Sequence, residues 1–473
     1  MQLVAYGAQD IFLTGNPQIT FFKVVYRRHT NFAMESIEQT FNGSADFGKK
    51  VTCTVSRNGD LIHRVYLRVE LPTVTVKKEG AFRWLNWVGH ILIRSVEVEI
   101  GGQRIDKHYG DWLHIWNELT QTAGHQLGYA NMVGNIPQLV NPYENKSTTE
   151  SEDVPGEILY IPLEFWFCRN PGLALPLIAL QYHEVRLILE FADKRDCYWA
   201  ARWDDTNDKW VHDYSKADVP SLSSASLFVD YIFLDTEERR RFAQVSHEYL
   251  IEQLQFTGDE STSSQNNKFR LNFNHPTKEL VWVVQPDDNV TDEAPYGKQW
   301  FNYTDAYDMS YSPDFSYNLA SLDLATPNQT SAGLPGIAAG GANGVFVPTS
   351  FEGGKNPVAR CKLQLNGHDR FSERDGRYFN LVQNYQHHEN VPVQGVNVYS
   401  FALRPEEHQP SGSCNFSRID NATLNLTLTP QAVKKEGPNG NVMISRTSRV
   451  RIYAVSYNVL RIMSGMGGLE TSA

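Results

Sequence analysis

The sequence has little of what would tie it to a metal, a membrane or a nucleic acid. Its five cysteines, Cys53, Cys168, Cys197, Cys361 and Cys414, are an odd number and widely scattered, with no Cys-x-x-Cys pair. Neither a zinc site nor a disulfide framework is signalled, and buried free thiols in a reducing compartment are expected. No apolar run reaches the about 18 residues of a membrane span; the longest, near Gly172 to Leu180, is interrupted by Pro176. Met1 to Ala5 lacks a charged region followed by an apolar core and cleavage site, so neither secretion nor membrane spanning is expected. Eight Asn-x-Ser/Thr sequons, among them Asn289, Asn302, Asn328 and Asn421, therefore carry little weight. Basic residues are also in deficit. Lys and Arg number 43 against 54 Asp and Glu, a net charge of -11, which disfavours a nucleic-acid backbone as a direct partner. The basic clusters Arg27-Arg28-His29, Lys77-Lys78 and Arg239-Arg240-Arg241 read as solvated faces or ion-pair partners.

Catalytic patterns are missing too. His108, His114 and His125 have no carboxylate or cysteine at a metal-ligand spacing, and the adjacent His387 and His388 cannot easily face one ion; packing or surface roles are expected. Glu97 and Glu99 share a strand face, as paired acids of a glycosidase might, but a solvated outer face explains them better. Gly340-Gly341 and Gly353-Gly354 precede no Lys-Ser/Thr and helix, so they are not phosphate loops. No catalytic, cofactor-binding or metal-ligating residue is assigned, and no enzyme activity or cofactor is expected.

What the chain has in quantity is β-forming pattern, and one unit of it occurs twice. From Arg94 to Leu119, Val96, Val98 and Ile100 alternate with Glu97 and Glu99, Gly101-Gly102 turns the chain, and Tyr109, Trp112, Leu113 and Trp116 follow at helical spacing. From Lys362 to Tyr385, Leu363 and Leu365 alternate with polar residues, Asn366-Gly367 turns, and Tyr378, Phe379, Leu381, Val382 and Tyr385 supply the aromatic segment. Gly110 and Gly376 stand just before the two aromatic segments. A unit repeated once in each half of a chain too long for one ordinary core predicts two domains of one type.

In chain order, residues 1–32 read as an arm in which Ile11 and Leu13 alternate and Ile19 to Tyr26 is β-prone, serving as a first strand or as an inter-subunit arm. Strands are predicted over Arg64–Leu71, Ile158–Phe167, Val185–Phe191 and Leu227–Leu234, and later over Phe269–Phe273, Leu280–Val284, Val396–Leu403, Leu424–Leu428 and Tyr453–Val459. Thr120–Gly156 reads as loop, Trp199–Ser224 as an acidic, Trp-bearing insertion forming an exposed loop with its indoles folded back, and Glu237–Tyr249 as a helical or extended connector. Pro286–Pro357 reads as a long functional loop, and Ser464–Ala473 as a mobile small-residue tail.

The runs Gly7 to Lys23 and Tyr26 to Phe32 closely resemble the N-terminus of major capsid proteins of nucleocytoplasmic large DNA viruses, in particular the algal-virus branch. The resemblance continues through Ser56–Ile62, Glu99–Tyr109, Pro171–Val185, Asp230–Thr236 and Pro410–Thr423, in the same order from end to end. It implies an all-β chain of two tandem antiparallel eight-stranded jelly-roll sandwiches with short helices and long loop insertions. The expected division is an arm over 1–32, a first jelly roll over 33–240, a second over 241–462 and a C-terminal tail over 463–473. It also implies a homotrimeric, pseudo-hexagonal capsomer that tiles an icosahedral shell in the virion, assembled in the host cytoplasm. Neighbouring capsomers, minor capsid and penton proteins, and peripherally the internal viral membrane would be its partners. The insertions would form outer towers and inter-subunit contacts. Because jelly rolls also occur in lectins and cupins, a carbohydrate-binding or carbohydrate-active sandwich is the alternative; the lack of an acid-pair or metal motif and the long family-specific runs favour the capsid reading.

Overall fold

A computed structural model describes residues 5–207, 209–308, 354–436 and 443–470. Sixteen strands carry the fold. In the first half these are β1 (Phe32–Gln39), β2 (Lys50–Thr54), β3 (Leu61–Glu70), β4 (Ile93–Ile100), β5 (Gln103–Tyr109), β6 (Ile158–Pro162), β7 (Val185–Phe191) and β8 (Ser224–Leu234). They form two antiparallel sheets, ordered β1-β8-β3-β6 and β2-β7-β4-β5. The second half supplies β9 (His247–Phe256), β10 (Asn266–Arg270), β11 (Pro276–Pro286), β12 (Val358–Leu365), β13 (His368–Asp369), β14 (Asn397–Ser400), β15 (Ala422–Leu428) and β16 (Ser448–Met463). Their sheets are ordered β9-β16-β11-β14 and β10-β15-β12-β13. Counted within each half, the two strand orders are identical, so the chain is two copies of one jelly-roll topology.

The repeated unit is built as its pattern dictates. In β4, Val96, Val98 and Ile100 are buried while Glu97 and Glu99 stay half-exposed. Gly101 and Gly102 take φ of 57° and 85°, and Asn366 and Gly367 take 51° and 81°; two consecutive left-handed residues give the tight hairpin turn whose twist matches the strands. The helix Gly110–Thr120 then buries Trp112, Leu113, Ile115, Trp116 and Leu119, and its counterpart is a π-helical turn, Tyr378–Val382, running into Gln383–His387.

One sheet is buried on both faces. In β11, Leu280, Trp282 and Val284 point into the second sandwich, whereas Val281 and Val283 join the apolar cluster of the first. β16 divides the same way, Ile452 and Ala454 against Tyr453 and Val455. The uninterrupted apolar run of Leu280–Val284 thus reports a strand between two cores. Polar contacts fix the seam: the Leu254 amide donates to Asp106 Oδ1 at 3.1 Å, and Arg451 pairs with Asp111 at 2.5 Å and Asp259 at 2.9 Å.

Several expectations are corrected. Thr120–Gly156 contains the helices Ala123–Val133 and Pro137–Val140 and two short strands. Trp199–Ser224 is not a loop: Tyr198–Asp204 and Lys209–His212 pair as a hairpin, in which Trp199 is folded inward and fully buried, as expected. After Pro162 the strand gives way to the short helix Trp166–Arg169. The Ile11/Leu13 alternation lies in a single helical turn, Asp10–Thr14. Met466–Leu469 pairs with the end of β16, and the Gly465 carbonyl accepts from the Tyr182 amide at 2.9 Å, so residues 464–470 are a docked hairpin arm and not a mobile tail. Of the long loop, residues 309–353 lie outside the described residues; its start is folded onto the first sandwich.

These elements give the molecule two different ends. Glu70 faces Ile158 and Ser224 across the sheet, so the connections 71–92, 110–157 and 192–223 emerge together. They build two small additional sheets there. The loop after β11 joins them, with Lys298 paired to Asp196 at 2.6 Å and the Trp300 indole donating to the Asp196 carbonyl at 2.8 Å. At the opposite end lie the arm, the Gly101-Gly102 turn and the C-terminal hairpin.

Candidate functional site

The histidines singled out in the sequence do not converge. His108 is buried, 2.9 Å from Asp106 and stacked on Phe165. His114 is buried against Phe301 and Trp87, and burial pushes its pKa down to about 3. His125 is exposed and contacts Thr122. Glu97 is neutralised by Lys107 at 3.1 Å and Arg104 at 3.7 Å. Among the described residues no group of three His, Cys, Asp or Glu side chains could hold a metal ion, no helix is long and apolar enough to cross a membrane, and all five cysteines are free, four of them buried.

His387 is half-buried and bonded to the Leu403 carbonyl, but His388 lies in a charge cluster that its spacing gives no hint of. It is within 2.8 Å of Glu279 and 2.9 Å of Glu406. Nearby, Glu252 receives buried Lys278 at 2.6 Å and Arg169 of the first sandwich at 3.1 Å. Burial opposes a charge on His388, yet the two carboxylates prevail and lift its pKa to about 9. The folded state therefore binds its proton more tightly than the unfolded chain, whose histidine titrates near 6.5. The resulting stabilisation is complete below pH 6.5 and is lost as pH rises through about 9. We expect urea unfolding midpoints to fall between pH 6.5 and 9, by on the order of 1–3 kcal/mol of stability, and the His388→Gln protein to lack that fall; equal slopes in both would refute the assignment.

The exposed apolar surface is concentrated at the arm end. Tyr6, Ile11, Phe12, Leu13, Ile19, Phe21, Phe22, Val24, Val25 and Tyr26 are each 70% or more exposed. Around the root of the arm, Phe32, Met34, Tyr182, Val245, Met463 and Met466 are also exposed. Beside them a cavity of about 680 Å³ is lined by Arg57, Asp60, Phe233, Leu234, Arg239 and Arg240. A chain does not hold ten large apolar side chains on one short arm in water without a partner surface to receive them. What this end can do is associate.

Comparison with known proteins identifies the kind of association. Residues 20–235 match the family described as major capsid protein N-terminus, and residues 238–468 match the large eukaryotic DNA virus major capsid protein family. The chain belongs to the major capsid proteins of large eukaryotic DNA viruses. Within that family it is 53% identical to the major capsid protein of Phaeocystis pouchetii virus, covering 100% of this chain and 99% of the relative. It is 43% identical to that of Paramecium bursaria Chlorella virus 1, over 99% and 98%. Among solved structures it is similar to the PBCV-1 VP54 capsid protein, with a TM-score of 0.67 at 38% identity over 96% of this chain and 100% of the other. The Faustovirus major capsid protein shares the fold, with a TM-score of 0.70 at 12% identity over 97% and 94%. As a major capsid protein the chain is a structural component of the virion shell, and the double jelly-roll architecture expected from the sequence is the one observed.

Proposed function

We propose that three copies associate about a three-fold axis into a capsomer with a pseudo-hexagonal outline, and that these capsomers tile the facets of an icosahedral shell. The observation that supports it is the identity of strand order in the two sandwiches. Two like wedges per chain, residues 33–240 and 241–462, give six like wedges per trimer, and a near-hexagon can tile a flat facet. The sandwiches lie side by side with their insertions at one common end, so that end faces outward and the arm end faces inward. There it meets minor capsid and penton proteins and, peripherally, the internal membrane. A chain of net charge -11 makes no direct contact with the genome. Assembly takes place in the host cytoplasm. Light scattering coupled to size exclusion tests the first step: a trimer of 53.8 kDa chains has a mass of three times 53.8, about 161 kDa. A folded chain that stays at 53.8 kDa at high concentration would sink the capsomer reading.

A further inference from the structure

The arm has a matching acceptor on its own fold. We propose that residues 19–26 of one copy add as an antiparallel strand to the free edge of β1 in a neighbouring copy, an inference that rests on the assembly reading above. Three observations carry it.

The first is the edge. β1 pairs on one side with β8, from Phe32↔Leu234 to Gln39↔Leu227, and on its other side no described strand is bonded to it. An antiparallel edge of this length leaves about four outward N–H and C=O pairs open. Phe32 to Ser36 are exposed on both faces, so there is room for an added strand, which would cover Phe32 and Met34. Long open edges are normally shortened, bulged or charged to prevent pairing; β1 is neither short nor bulged, and its only charges, Glu35 and Glu38, repel another acidic edge but not a basic strand.

The second is the arm itself. Seven of the eight residues from Ile19 to Tyr26 are β-branched or aromatic, the composition that favours a pleated strand. All eight are exposed, and the segment makes no backbone hydrogen bond to β1 of its own chain. Self-pairing would require reversal within Arg27–Asn31, which contains neither glycine nor proline.

The third is charge. Residues 11–34 hold Lys23, Arg27 and Arg28 and no acidic residue. That is +3 in a chain of net -11, so the remainder carries -14. The acceptor strand presents Glu35 and Glu38, both exposed. A basic strand entering an acidic surface selects this partner over the arginine-lined cavity beside it.

Chains carrying Cys414→Ser, which removes the one free cysteine that is not buried, test this directly with one introduced cysteine each. Chains bearing Glu35→Cys are co-assembled with chains bearing Phe21→Cys, Phe22→Cys, Lys23→Cys or Val24→Cys, oxidised, and resolved on non-reducing gels. A disulfide-linked heterodimer is expected at one or two arm positions and a more than fivefold weaker band at the others. Assembled particles with no crosslink at any position would overturn the strand addition while leaving the capsomer reading intact. A crosslink confined to chains carrying both substitutions would show self-pairing and overturn it as well. Failure of every mixture, and of the unsubstituted chain, to form any oligomer would overturn both readings.

Discussion

Replacing Gly376 by alanine is expected to prevent the second sandwich from folding stably, and Gly110→Ala should do the same to the first. A Cβ on Gly376 would sit 1.9 Å from the Val358 carbonyl oxygen, and one on Gly110 would sit 2.2 Å from the His90 oxygen and 2.4 Å from that of Ile93. These obstacles are backbone atoms of the adjoining strand and helix, which no rotamer change can move aside. Forcing extra volume into a packed site costs about 1–3 kcal/mol when neighbours can shift; here the helix would have to lift off its strand, so a loss of about 3 kcal/mol or more is expected. The control is Gly128→Ala, in the exposed helix Ala123–Val133, where an added Cβ meets nothing within 4 Å and helix propensity should add about 1 kcal/mol. Soluble yield and thermal melting of the three proteins measure the contrast. Wild-type melting of Gly376→Ala would show that the close approach is not a constraint.

Those two glycines were legible as a coincidence of position, one before each aromatic segment, while their reason is visible only where helix and strand meet. The same division runs through the molecule. Strands exposed on one face, such as β4, announce themselves by alternation, and β11 announces its two-sided burial by an unbroken apolar run. The helix Ala123–Val133 announces nothing: it contains Gly124 and Gly128 and buries only Tyr129 and Val133, so no apolar stripe exists to be read. The hairpin of Tyr198–Asp204 and Lys209–His212 was masked by its acid content, although Trp203 and Trp210 face one another across it with ring centroids 5.2 Å apart.

Order in the described part of the long loop after β11 comes from hydrogen bonds and leaves no hydrophobic period. Asn302 is fully buried; its side-chain amide donates to Gln299 Oε1 at 2.8 Å and the Ala306 carbonyl at 2.9 Å, and its oxygen accepts from the Thr304 amide at 3.0 Å. Gln285 donates to the Trp300 carbonyl at 2.8 Å. An asparagine of this kind looks like a loop residue, or a glycan acceptor, until its partners are known. The His388 cluster was hidden for a related reason: Glu279 and Glu406 come from positions 109 and 18 residues away, and no local spacing encodes such a meeting. The docked hairpin at Met466–Leu469 follows from Gly467 and His183, whose amide and Nδ1 are 3.1 Å apart across the two halves of the chain.

Deleting residues 1–25 is expected to leave the fold intact and to abolish shell formation. The first half of the argument is structural. Described residues 5–25 are exposed apart from a half-buried Asp10, the first sheet strand begins at Phe32, and no side chain of the arm belongs to either core. Removing an exposed segment that packs on nothing changes stability by about 0.5 kcal/mol or less, so the melting temperature of the truncated chain should match that of the full one. The second half concerns multiplicity. Each copy gives one arm and receives one, so the deletion removes a contact at every subunit. A loss of about 1.4 kcal/mol per contact lowers each association constant tenfold, and a lattice that needs many such contacts at once loses far more than any single pair does. Glu35→Lys with Glu38→Lys, which keeps the arm but repels Lys23, Arg27 and Arg28, should reproduce the defect in part, and restoring the charge balance by Lys23→Glu should relieve it. Electron microscopy of assembly mixtures provides the readout. Normal shells from the truncated chain would show that nine of the ten exposed apolar side chains of the arm, all but Tyr26, are dispensable for assembly.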